Sequence, residues 1–403
     1  MSSRPSLRLP PLRYLAAGLA ALFVVVHLAA VHNSDTYARH ASVDSLRSKL
    51  GLGSDGMAPV DYPSAAAQSG AAAPVGSHDW AADAAVNSTR ANAAFVILAR
   101  NSDVWEILKS IRGIEDRFNR KYHYPYVFLN DQPFDDEFKR HTSGIASGPC
   151  SYGLVPKEQW EEPAWIDEDK AAVERQKMAD AKVIYGDSRT YRRMCRYQSW
   201  AVFQHDLLAS YDYYWRIEPS VEFFCDINYD PFMYMHEKGK KYGWTVSLYE
   251  YEATIPTLWK TTKEFTDAHP EYLASPNMLG WITNDKGDYN RCHFWSNFEI
   301  GSLAFFRSEA YTKYFEHLDR SGGFSYERWG DAPVHSIAAA LFLKPEEIHW
   351  FHDIGYKHPP FLHCPTNSAD RCACNPNDAN AFEFHWYGCT NTWKTLNPDW
   401  ASG

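Results

Sequence analysis

Residues Ala93–Ala99 read AAFVILA, an unbroken apolar run of strand length, and together with the segment after it this run decides the fold. A run of that kind suits a strand buried on both faces, as in a parallel sheet. Downstream, Val104, Ile107, Leu108, Ile111, Ile114 and Phe118 recur three or four residues apart, which puts them on one face of a helix. Ser102 or Asp103 can cap its start by accepting from the free N–H groups of the first turn. Tyr124–Leu129 (YPYVFL) predicts a second strand, closed by Asn130-Asp131. Strand, helix and strand so close together make a βαβ unit with parallel strands and a right-handed crossover.

Beyond this unit, further strands are expected at Tyr213–Ile217, Trp244–Tyr249 and Phe298–Phe306, and helices at Tyr191–Ser210, Ser308–Arg320 and Ala332–Leu343. The expected fold class is α/β, a Rossmann-like mixed sheet flanked by helices. Ligands of such sheets bind beyond the carboxyl ends of the strands. Arg100 and Asn101, just past the first strand, are therefore candidate nucleotide contacts.

Before this domain, Arg4, Arg8 and Arg13 precede an apolar run from Tyr14 to Val31 interrupted only by His27. Its length is near the ~18-residue lower bound for crossing a bilayer and exceeds the roughly 7–15-residue core of a cleaved signal. Cleavage near Ala29 or Ala30 is the alternative. The basic residues keep the N-terminus in the cytoplasm. The expected organisation is a cytoplasmic tail (1–13), a transmembrane signal-anchor (14–31), a flexible stem (32–91) and a lumenal catalytic domain (92–403). Ala, Ser, Gly and Pro dominate the stem, and no hydrophobic period runs through it. Asn87-Ser88-Thr89 is an N-glycosylation sequon. All eight cysteines follow the anchor, an even number that suits lumenal disulfides, and Cys372-Ala373-Cys374 reads as part of a disulfide rather than a zinc knuckle. A formal net charge of -10 argues against nucleic acid as partner, but leaves room for an anionic nucleotide held by local positive charge. The 15% aromatic share suits sugar-binding clefts as well as a large core.

Several residues could carry chemistry. Arg216-Ile217-Glu218-Pro219 ends a strand, which sets Glu218 at the sheet's ligand edge. Glu299 sits inside an apolar run, where a carboxylate is costly to bury unless it is paired or functional. Asp331 opens a helix, as an N-cap or as a site residue. The segment His349–His358 holds three histidines without a recognised zinc spacing. Arg192, Arg193 and Arg196 either meet phosphate or form a solvated helix face, and the acidic run Glu161–Asp169 reads as a solvated loop.

At these motifs the chain resembles the fungal α-1,2-mannosyltransferases of glycosyltransferase family 15. The resemblance runs from about Asn92 to about Pro365. It rests on ARNSDVWEILKSIRGIEDRFN from Ala99, VFLNDQPFDDEFK from Val127 and YDYYWRIEPSVEFFCDINYDPFMYM from Tyr211. SLYEYEATIPTLW from Ser247, CHFWSNFEI from Cys292 and YERWGDAPVHSIAAALFL from Tyr326 complete it. The resemblance implies a GT-A type fold in a single catalytic domain, GDP-mannose as donor, Mn²⁺ as cofactor, a mannose-terminated glycan as acceptor and a Golgi membrane location. By motif position, Glu218 and His358 would hold the metal, Glu299 would be the nucleophile or the carboxylate stabilising an oxocarbenium ion, and Asp331 would lie near the acceptor. Arg100, Asn101, Tyr191 and Arg216 would face the donor. The tail after Cys364 departs furthest from the pattern, and neither its disulfides nor an acceptor role for Phe382–Trp386 is assigned. The competing readings are a non-catalytic mannan-binding or scaffold protein on the same fold, and a glycosidase using Glu299 and Asp331.

Overall fold

In the computed structural model, which describes residues 90–366, 370–381 and 386–399, the opening βαβ unit forms as expected. Strand β1 (Ala93–Leu98) leads through a short turn into helix α1 (Val104–Ile114), and β2 (Tyr126–Asn130) returns parallel to β1. Helix α2 (Asp136–Ile145) carries the chain to β3 (Cys150–Leu154), parallel to β2. The anchor 14–31 and Asn87 lie outside the described residues.

The main sheet is mixed. Its order is β10–β6–β9–β4–β1–β2–β3, where β4 is Tyr213–Arg216, β6 is Tyr242–Trp244, β9 is Glu299–Ser302 and β10 is Ile348–Trp350. Strand β9 runs antiparallel to both of its neighbours. Alternate residues of β1 feed two cores, as the two-residue period of a strand requires. Phe95 and Ile97 pack with Ile107 and Ile111 of α1, while Ala94 and Val96 face the other layer. That second layer holds α4 (Arg189–Ser199), α5 (Glu309–Ser321) and α6 (Asp331–Phe342), after the outlying α3 (Glu168–Asp180).

Several expected elements shift. Trp244–Tyr249 is two strands, because the chain changes sheets at Thr245-Val246. There the carbonyls turn to accept from the Trp350 indole and the Trp295 amide. The second piece, β7 (Ser247–Tyr249), pairs with β8 (Cys292–Phe294) in a separate ribbon. A short antiparallel sheet joins β5 (Glu222–Phe223), β11 (Tyr356–His358) and β12 (Phe361–His363). Phe298–Phe306 begins as β9 and then turns helical at Leu303, an ambiguity that an apolar run alone does not resolve. Helix α4 starts at the Ser188 cap and ends at Ser199, and two tight turns replace its expected continuation to Ser210.

The arginine cluster of α4 is engaged within the protein. Arg192 is buried and donates to the carbonyls of Glu327 and Ser188, Arg193 pairs with Glu162, and Arg196 pairs with Asp319. The acidic run is likewise structured: Asp167 caps α3, and Glu162 takes Arg189 as well as Arg193. Burial alone would raise the Glu162 carboxyl, but hydrogen bonds from Arg189 and Arg193 hold it at about 2. A carboxyl that ionises more readily folded than unfolded adds stability above the ordinary glutamate range, and that stability is lost as pH falls toward the folded value. Glu162→Gln is therefore expected to lower stability by on the order of 1 kcal/mol at neutral pH. Urea midpoints should show the gap closing as pH falls from 4.5 toward 2.

Three disulfides form, Cys225–Cys372, Cys292–Cys389 and Cys364–Cys374, so both cysteines of Cys372-Ala373-Cys374 are bridged. Cys150 and Cys195 remain thiols.

Candidate active site

The carboxyl edge of the sheet gathers the charged residues. Arg216 ends β4, and across the antiparallel pairing it lies opposite Glu299, the first residue of β9. Two residues on, Glu218 leaves the strand, and Asp331 opens α6 above it. The Arg216 guanidinium is buried and joins them: Nη2 bonds Glu218 Oε1, and Nη1 lies 2.5 Å from Asp331 Oδ2. Ser296 Oγ donates to the same Asp331 oxygen at 2.7 Å. Asp331 is thus held by side chains at the first helical position, and the N-cap is Gly330. Both Nη atoms of Arg216 are held by these carboxylates, while its buried Nε has no hydrogen-bond partner among the described residues.

Glu218 keeps 23% of its side chain exposed, and Oε2 lies 3.3 Å from His358 Nε2. Burial works against its charge, but Arg216 and His358 hold the carboxyl at about 2. His358 Nδ1 faces the Pro359 carbonyl at 3.1 Å. A cation seated between Nε2 and Glu218 Oε2 would take the place of the proton shared there, with Nδ1–H kept on the Pro359 carbonyl. Two ligands at right angles on one cation, each about 2.1 Å away, would stand about 3 Å apart, close to the observed separation. Among the described residues no cluster of three or more His, Cys, Asp or Glu side chains could hold a metal alone. The Glu218–His358 pair therefore fits a cation whose remaining ligands come from substrate and water. The other two histidines of the run lie elsewhere. His349 packs on Tyr234 and Phe351, and burial pushes its imidazole down to about 3.

Glu299 is fully buried. Tyr214 donates to Oε1, while Tyr242 (2.6 Å) and His335 Nδ1 (2.8 Å) meet Oε2. The two tyrosines reach it from opposite neighbours in the sheet, because both pair with Gly301, two residues along the same face. A Cβ on Gly301 would come within 2.7 Å of the Tyr214 ring, so glycine leaves the space that lets Tyr214 lean across. His335, one turn after Asp331 on α6, also donates through Nε2 to the Gln198 carbonyl at 3.1 Å. Its two ring nitrogens thus tie Glu299 to α4 through the Gln198 carbonyl.

Tyr191 stacks on Tyr185 at 4.4 Å, and the Arg328 guanidinium lies 5.2 Å from its ring. Arg328 also reaches Glu250 at 3.7 Å, and Trp295 meets the His358 ring edge-on. Past β1, Asn101 ties its own loop to the next, donating to the Pro133 carbonyl and accepting from the Asp135 amide. Arg100 is mostly exposed and pairs with Asp103. Sequence reasoning missed Ser296, Arg328, Glu250 and the Glu299 cage. Only His335 left a signal, four residues after Asp331 and hence on the same helix face.

Residues 64–398 match the sequence model of one family, described as glycolipid 2-alpha-mannosyltransferase, a span that takes in the cysteine-rich tail. Glycolipid 2-alpha-mannosyltransferase 1 of Candida albicans is 54% identical over 337 residues, 82% of this chain and 78% of its own. Alpha-1,2 mannosyltransferase KTR1 of Saccharomyces cerevisiae is 52% identical over 313 residues, 76% of this chain and 79% of its own. Among solved structures, core-mannan synthase A of Aspergillus fumigatus in a Mn/GDP form superposes with a TM-score of 0.70 at 44% identity. That match covers 72% of this chain and 82% of the other. The mannosyltransferase Ktr4p of S. cerevisiae in complex with GDP gives 0.73 at 41% identity, over 76% and 82%.

Proposed function

The chain belongs to the glycolipid 2-alpha-mannosyltransferase family, glycosyltransferase family 15, and we propose that it is a retaining α-1,2-mannosyltransferase moving mannose from GDP-mannose to a mannoside. The observation that carries this reading is the ionised Glu218 beside the Nε2 of His358, at the edge where parallel strands present ligands. A cation held by that pair, Mn²⁺ in this reading, offsets the charge that gathers on the leaving diphosphate. The solved relatives carry GDP, and one of them Mn, which supports this choice of donor and metal.

The protein's own groups divide the remaining work. Arg216 keeps Glu218 and Asp331 charged and fixed in direction, so that neither must reorganise as the bond breaks. Asp331 borders the place of the acceptor hydroxyl, and Tyr191, with Arg328 over its ring, faces the donor. Glu299 sets a fixed negative charge beneath the anomeric carbon, where positive charge develops. Arg100 and Asn101 border the nucleotide.

The fold is of GT-A type in this reading. Residues 14–31 anchor the protein in the Golgi membrane as a single-pass type II protein, with residues 32–91 as stem and the catalytic domain in the lumen. Its acceptors are O- or N-linked mannoprotein glycans, and Asn87 carries a glycan. The basic residues before the apolar run, the sequon and the three disulfides support the lumenal placement.

The test is transfer from GDP-mannose to α-methyl mannoside by the lumenal fragment, with Mn²⁺ or with chelator. An α-1,2-linked disaccharide formed only with the metal is expected. GDP binding without transfer to any mannoside would favour a non-catalytic mannan binder on this fold.

A further inference from the structure

Beside the catalytic edge, the β7–β8 ribbon and the tail enclose a cavity of about 330 Å³. Tyr249, Tyr251 and Tyr387 supply three of its walls, Trp386 a fourth, and Glu250, Glu252 and Arg291 its polar groups. The Tyr249 and Tyr251 rings each lie within 6.4 Å of the Tyr387 ring, and Trp386 meets Tyr387 at 5.5 Å. Trp386 is 81% exposed and Tyr251 57%, so both rings keep accessible surface beside the cavity.

The wall is built, not loose. The Cys292–Cys389 disulfide joins tail to ribbon, the Tyr249 amide donates to the Tyr387 carbonyl, and Leu248 bridges Gly388. Ser247 and Thr390 hydroxyls bond at 2.9 Å behind it. Arg291 holds a left-handed φ of 73°, a conformation L side chains rarely adopt. Its carbonyl accepts from the Glu250 amide, while its guanidinium meets Glu252 at 3.0 Å. The cavity also adjoins the reaction centre. Glu250 pairs with Arg328, which lies over Tyr191, and a Cβ on Gly330, next to Asp331, would stand 3.7 Å from Glu250 Oε2.

Two carboxylates and one guanidinium do not make an anion site. Flat aromatic faces set among charged hydrogen-bonding groups suit a neutral polyol. Pyranose C–H faces pack on the rings, and vicinal hydroxyls meet carboxylate and guanidinium. The volume lies at the lower end of the roughly 300–1,000 Å³ of small-molecule sites, which suits a short stretch of sugar. We infer that this cavity is an acceptor subsite that binds the inner residues of an oligomannoside glycan, behind the mannose that receives transfer. The inference rests on the mannosyltransferase reading.

The experiment compares kcat/KM for an α-1,2-linked mannotriose with that for α-methyl mannoside. In Trp386→Ala and in Tyr251→Ala the ratio of the two is expected to fall about tenfold, and Trp386→Phe should restore most of it. A ratio unchanged in both alanine variants overturns the subsite. Mannotriose binding without donor, followed by ligand-observed NMR, separates this inference from the function it builds on. Should the wild-type chain transfer no mannose, binding weakened in both variants would still uphold the subsite, and unchanged binding would reject it.

Discussion

Glu218→Gln is expected to lower transfer from GDP-mannose at least about a hundredfold, the scale seen when a preorganised charge at a reaction centre is removed. The glutamine keeps the shape of the side chain but cannot carry the charge that Arg216 and His358 hold ionised at about 2. Arg216 retains Asp331 as partner in the variant, so no buried cation is left alone, and the melting temperature should move little. Isothermal titration supplies the decisive reading: Mn²⁺-dependent GDP binding should disappear in Glu218→Gln, where a chelator has no further effect, and weaken in His358→Ala, where a chelator removes what remains. GDP binding that keeps its metal dependence in Glu218→Gln would move the cation site away from this pair.

The opening βαβ unit was legible because the apolar residues of α1 recur three or four apart between two apolar runs of strand length, the second closed by Asn130-Asp131. Strand ends and sheet changes were not. The break at Thr245-Val246 depends on two tryptophans, Trp295 and Trp350, that arrive from later in the chain. The arginines of α4 show the same limit. Spacing sets them along one helix, but only the fold brings Glu162 and Asp319 against them. Glu218, Glu299 and Asp331 could be picked out individually, as carboxylates at strand ends or in apolar surroundings. That Arg216 binds two of them, while Tyr214, Tyr242 and His335 enclose the third, is long-range geometry that no local pattern encodes.

Glu299→Ala and Glu299→Gln should part company, and the difference decides what this carboxylate does. Alanine leaves two tyrosine hydroxyls and an imidazole ring buried around an empty position, which is expected to cost about 3–5 kcal/mol of stability as well as turnover. Glutamine fills the same volume and can still accept at one oxygen, so Mn²⁺-dependent GDP binding should persist. Turnover should nevertheless fall by about 10²–10³ through loss of the fixed negative charge. Both carboxylate oxygens already accept hydrogen bonds, and the side chain has no solvent-facing surface. A nucleophile would have to leave three donors to reach the sugar, whereas a stabilising charge acts from where it stands. Azide therefore should not restore turnover to Glu299→Ala. Azide-dependent recovery with formation of mannosyl azide would instead require an attacking carboxylate at this position. Near-normal turnover in Glu299→Gln would deny Glu299 either role, and leave the cage as a device for holding β4, β6, β9 and α6 together.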